Sequence, residues 1–174
     1  MTDFTEAFLS GVALAVVGFL GKEIASGIKE RTNLRKILQV DARNTIKGLQ
    51  DHEPSLKGIA KHLDDGEANF IWESKGLGPN PTFLADVPTH LSPQETNFAL
   101  QFYDDKQKID VIRDEFNLAI RNFITDSNNC REQHLKIAKA CLVDMERQYK
   151  KACSSGANLI REVEERMYSD DSDL

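Results

Sequence analysis

Residues 92–125 read SPQETNFALQFYDDKQKIDVIRDEFNLAIRNFIT, and this stretch decides the fold. It opens on Ser92-Pro93-Gln94-Glu95, which has the form of a capping box. The Ser92 oxygen can accept from the backbone amide of the third helical residue, and Glu95 at that position can reach back to the cap. Pro93 fills the first helical position, where its missing N–H costs nothing. Behind the box run Phe98, Phe102, Ile109, Ile112, Phe116, Ile120 and Phe123 at helical spacing. The pattern predicts a long amphipathic helix that stops near Ile124, at Thr125-Asp126-Ser127-Asn128.

Two similar stripes flank it. Downstream, Asn129-Cys130-Arg131-Glu132 offers a weaker box. Leu135, Ala138, Leu142, Met145, Tyr149, Ala152, Leu159, Ile160, Val163 and Met167 follow. Ser154-Ser155-Gly156 is the weak point of this helix and a place for it to bend, because glycine costs about 1 kcal/mol against alanine in a helix interior. Upstream, Leu34, Ile37, Leu38, Ala42, Thr45, Ile46 and Leu49 form the third stripe. Pro54 should kink or break it at Glu53. Leu56, Ile59, Ala60 and Leu63 then resume the stripe, and Gly66 is placed for a left-handed cap. Residues 67–91 carry Gly76, Gly78, Pro79, Pro81 and Pro88 together with Phe70, Ile71, Trp72, Phe83, Leu84, Val87 and Leu91. They read as an ordered crossover lying on the body. No segment shows sustained period-two alternation with β-branched enrichment, so little or no sheet is predicted.

The first 21 residues differ from everything after them. Ala7–Gly21 reads AFLSGVALAVVGFLG, uncharged and with Ser10 its only polar residue. As a helix it spans about 22 Å, short of the roughly 30 Å hydrocarbon core; Phe4–Ile28 would span about 37 Å. Glu6, Lys22 and Glu23 lie near its ends, where long side chains can snorkel. The segment is read as a marginal single transmembrane helix. Gly11, Ala15 and Gly18, spaced four and three apart, form a small-residue packing face suited to helix association in lipid. Lys22, Lys29, Arg31, Arg35 and Lys36 follow the segment, and no base precedes it. By the positive-inside rule the amino terminus faces out and the body lies in the cytoplasm, at the plasma (inner) membrane.

Charge by block fits this layout. Residues 1–21 carry −2, 22–64 carry +3, 65–120 carry −6 and 121–174 carry −1, for a net −6. A mean acidic charge argues against nucleic-acid binding that rests on phosphate neutralisation. The expected architecture is therefore all-α. An anchor helix (1–28) precedes a cytoplasmic antiparallel bundle of three long helices plus the crossover (29–168), with an acidic disordered tail (169–174).

The residues of known chemistries are missing. Cys130, Cys141 and Cys153 fall in one predicted helix, with no Cys-x-x-Cys pair. Cys130, His134 and Cys141 share a rough face but offer only three ligands, so no metal is assigned. There is no Glu-x-x-His, HExxH, P-loop or Gly-x-Ser-x-Gly, and Gly76-Leu77-Gly78 opens no helix. No catalytic residue and no cofactor is assigned. Trp72, Tyr103, Asp104 and Asp105 are the candidates for a partner or ligand surface, a small-molecule pocket included. The sequence thus describes a membrane-anchored helical interaction or scaffold module without catalysis, bound to a protein partner or to itself. The alternative is an oligomerising bacterial membrane effector of antiphage-defence-like layout, whose helical domain senses a ligand or partner and whose membrane helices perturb the bilayer.

Overall fold

A computed structural model describes the backbone of residues 2–67, 90–126 and 130–172, and the side chains of 27–67, 90–126 and 130–169 within it. Among these residues all regular structure is helical, in three long elements: α1 (Thr2–Asp64), α2 (Pro93–Thr125) and α3 (Arg131–Ser172).

The local signals act as their chemistry requires. Ser92 caps α2: the Glu95 amide donates to its hydroxyl (3.2 Å), and its own amide donates to the Glu95 carboxylate (2.9 Å). Asp126 closes α2 by donating its amide to the Asn122 carbonyl. At the end of α1, Gly66 adopts φ +77°. The Glu67 amide then bonds the His62 carbonyl and the Gly66 amide that of Leu63, a pairing of orphan carbonyls that a left-handed glycine permits. α3 begins at Arg131, where the His134 amide donates to the Cys130 carbonyl; Asn129 lies outside the described residues.

The structure bears on three local expectations. Pro54 does not interrupt α1, which is helical on both sides of it. Proline removes one backbone bond, but Leu49, Leu56 and Leu63, each seven residues apart around it, are buried in one cluster and keep the segment helical. Through Ser154-Ser155-Gly156, the expected place for a bend, α3 stays helical, and Gly156 is buried where a neighbouring ring comes close. And α3 continues through Ser172, past the start of the expected frayed tail, because nothing after Gly156 is a helix breaker.

The bundle is antiparallel only in part. Gln39 of α1 meets Glu164 of α3 and Asp64 meets Lys139, so these helices run in opposite directions. Gln94 meets Glu162 and Asp105 meets Gln148, so α2 and α3 do as well. But Arg35 meets Glu95 and Asp41 meets Lys106, so α1 and α2 run parallel. Helix α3 packs against both, most extensively against α2.

The apolar core has two parts. One gathers Leu49, Leu56, Leu63, Phe116, Ile120 and Met145 near the α2–α3 turn. The other gathers Leu34, Leu38, Ala42, Phe102, Leu159 and Val163 near the start of α2. Buried Thr45, Asp105, Lys106, Gln148 and Ser155 form a polar waist at their join. Among the described residues of α1 the first buried side chain is Leu34, and Gly27–Arg31 are exposed. Among the described residues no helix is long and apolar enough to cross a membrane. The side chains of the Ala7–Gly21 run, with Gly11, Ala15, Gly18 and Lys22, lie outside the described residues, as does Trp72.

Candidate functional site

Charged side chains collect at the end of the bundle where α1 leaves it. Arg35 lies one turn before Leu38 on the inward face of α1 and is 3% exposed; Glu95 is 0% exposed. The Arg35 Nε donates to Glu95 Oε1 at 2.6 Å and its Nη2 to Oε2 at 3.3 Å. Glu95 therefore serves twice, as the third-position partner of the α2 cap and as the counter-ion that ties α2 to α1. Burial pushes its carboxyl up, but the bonds from Arg35 and Ser92 and the Arg35 charge outweigh this and hold it below the ordinary value. Around this pair, Gln39 and Arg43 of α1 both donate to Glu164 of α3 (2.7 and 2.6 Å). Gln94 of α2 and Arg166 both donate to Glu162 (3.0 and 3.2 Å). A collar of ion pairs and hydrogen bonds thus joins all three helices at the root of α1.

The waist repeats the theme. Lys106 donates to Asp41 at 2.9 Å and lies over the rings of Phe102 (5.3 Å) and Tyr103 (5.0 Å). Burial and the neighbouring Asp41 carboxylate, which bonds the phenol, raise the Tyr103 pKa and keep the hydroxyl protonated. Gln148 donates to the carbonyl and carboxylate of Asp105 (3.2 and 3.0 Å). Among the described residues no buried side-chain polar atom lacks a partner.

The sequence-predicted surface separates. Tyr103 and Asp105 face the interior, and only Asp104 is exposed, paired to Lys108 one turn on. Of the basic flank, Lys29, Arg31 and Lys36 are exposed and Arg35 is internal. The collar escaped the sequence reading because Glu95 was accounted for by its cap and Arg35 by the flank. The available signal was the position of Arg35, three residues from Leu38 on the core stripe.

Chemically the collar fixes geometry. Its carboxylates are engaged by bases and amides. Among the described residues no group of three His, Cys, Asp or Glu side chains could hold a metal ion. The thiols differ in access: Cys130 is exposed, Cys153 half-buried and Cys141 buried. Burial, then the nearby Glu115 and Asp144, pushes the Cys141 thiol up; burial and Glu53 push Cys153 up. A maleimide at neutral pH is expected to label Cys130 first, with Cys141 slower by about tenfold or more, read by peptide mass spectrometry. Equal rates would show that the bundle opens around Cys141.

Comparison with protein-family models, curated proteins and solved structures finds no match for this chain.

Proposed function

We propose that the chain is a membrane-anchored helical interaction module without catalysis, its amino terminus outside and its bundle in the cytoplasm. The observation that carries this reading is the continuity of α1. One helix includes the uncharged Ala7–Gly21 run and, from Leu34 onward, forms a wall of the bundle. The thirteen residues from Gly21 to Leu34 rise about 20 Å, enough to hold the body clear of a headgroup layer. In that interval Lys29 and Arg31 are exposed, as juxtamembrane bases that meet an anionic leaflet need to be. The collar supports a rigid module: it locks the helix emerging from the body to both of its neighbours, so a partner on the bundle is held at a fixed distance and angle from the anchor.

Carbonate extraction tests the anchor. The full-length protein is expected to stay with the membrane pellet, and Leu14→Lys, which places a charge costing about 2.5–3.5 kcal/mol mid-run, is expected to move much of it to the supernatant. Release of the unsubstituted protein would overturn the reading. A carboxy-terminal tag reachable from outside intact cells would reverse the orientation.

A further inference from the structure

Ile37 belongs to the α1 stripe by its spacing, yet it is 54% exposed, as is Val40 one turn on. Ile37 lies on the side of α1 away from Gln39 and Arg43, the residues that meet α3, and Val40 stands between Ile37 and Arg43 around the helix. They line an open groove with Lys36, Asp41 and Asn44. From the geometry of this face we infer that α1 pairs in parallel with α1 of a second copy of this chain, along Asn33, Ile37, Val40 and Asn44.

Spacing is the first argument. Positions 33, 37, 40 and 44 are separated by four, three and four, the repeat that keeps a seam facing a partner helix. All four are exposed. Ile37 falls at an a position and Val40 at a d position, with asparagine closing the seam at each end. In a parallel, in-register pair each asparagine meets its own copy, and in an antiparallel pair Asn33 meets Asn44, so the asparagines fix the register at some cost in stability and the flanking charges decide the direction.

Charge is the second argument. In this register Lys36 takes the g position and Asp41 the e position five residues later, the two that meet across a parallel pair. Lys36 has no ion pair among the described residues. Asp41 is held in place by Lys106 and Tyr103 and remains partly exposed. The two-fold axis would make the Lys36–Asp41 contact twice. Antiparallel pairing would lose this contact.

The seam is short, about 16 Å from Asn33 to Asn44. It buries much less than the roughly 1,200 Å² of a stable interface, so the contact is weak and fills when copies are concentrated, as on one bilayer. The inference deepens the interaction part of the proposed function and does not depend on the membrane part.

The test uses the full chain in mild detergent, with sedimentation over a wide concentration range. Dimerisation is expected, and Ile37→Glu with Val40→Glu should weaken it about a hundredfold or more while the melting temperature stays unchanged. In a Cys130→Ser background, Asn33→Cys and Asn44→Cys chains should each form a disulfide with their own kind. Three results would overturn the seam. One is a monomer at every concentration. Another is cross-linking only when the Asn33→Cys and Asn44→Cys chains are mixed, which means antiparallel pairing. The third is a fall in melting temperature of the double glutamate variant with association unchanged, which means that residues 68–89 of the same chain cover the face. Each can occur with the protein still in the carbonate-resistant pellet, so the failure of the seam and the failure of the anchor are separable.

Discussion

Replacing Arg35 with methionine should destabilise the bundle by about 3–5 kcal/mol, the usual result of removing one partner of a buried ion pair. A domain of this kind is stable by only about 5–15 kcal/mol, so the loss is a large share of the whole. For this size it lowers the melting temperature by on the order of 10 °C. The reason lies in what remains. Glu95 is fully buried, and without the guanidinium its charge keeps the bonds from the Ser92 amide and hydroxyl. Replacing both partners, Arg35→Met with Glu95→Leu, should recover most of the loss, since packed apolar groups can match or better a buried pair. A residual deficit of about 1 kcal/mol should persist, because the capping box is gone. Urea denaturation of the singles and the double closes the cycle. A single-substitution effect below about 1 kcal/mol would mean that water reaches the pair.

The pH dependence supplies a sign. The folded carboxyl of Glu95 lies below its ordinary value. Its stabilising contribution is therefore complete above the unfolded value of roughly 4.3 and disappears as pH falls through the folded value. In Arg35→Met, burial dominates and the Glu95 value rises, so the variant should lose stability as pH climbs through it. The gap between the two proteins should thus narrow in acid. A gap independent of pH would remove Glu95 from the account.

The second large effect belongs to Gly156. A Cβ there would stand 3.0 Å from Phe102 Cε2 and 3.1 Å from Ile46 Cδ1. The Phe102 ring is fully buried and has nowhere to go. Gly156→Ala gains about 1 kcal/mol of helix propensity and sets it against about 1–3 kcal/mol of overpacking, for a net loss of up to about 2 kcal/mol. Gly156→Val adds two methyl groups to the same junction and should cost about 3 kcal/mol or more. Gly58, exposed on α1 with nothing within 4 Å of its Cβ position, is the control: Gly58→Ala should gain about 0.5–1 kcal/mol. Phe102→Leu should partly rescue Gly156→Ala, because the two sites share the contact. If Gly156→Ala stabilises as Gly58→Ala does, the three helices are not in close contact at the waist.

The Gly156 case shows where sequence reading reaches its limit. A glycine in a helical run is a weak point by propensity alone, and the bend expected at Ser154-Ser155-Gly156 followed from that. The contact that uses the missing side chain comes from Phe102 and Ile46, far away along the chain. Pro54 is similar: its local rule predicts a break, and the burial of Leu49, Leu56 and Leu63 outweighs one lost hydrogen bond. Of the surface expected from Tyr103, Asp104 and Asp105, one residue faces solvent, since charge and aromaticity do not say which side of a helix meets a neighbour.

By itself the sequence determined the helical class, the start of α2 at Ser92, the cap at Gly66 and most of the three core stripes. Each of these rests on residues within a turn or two of one another, where capping bonds and the 3.6-residue period act. Only the tertiary structure decided that α1 and α2 run parallel, that Arg35 is internal and Ile37 external, and that Glu95 serves two partners. Arg35 and Glu95 are sixty residues apart, and helical periodicity carries no information about which face of one helix will meet which face of another.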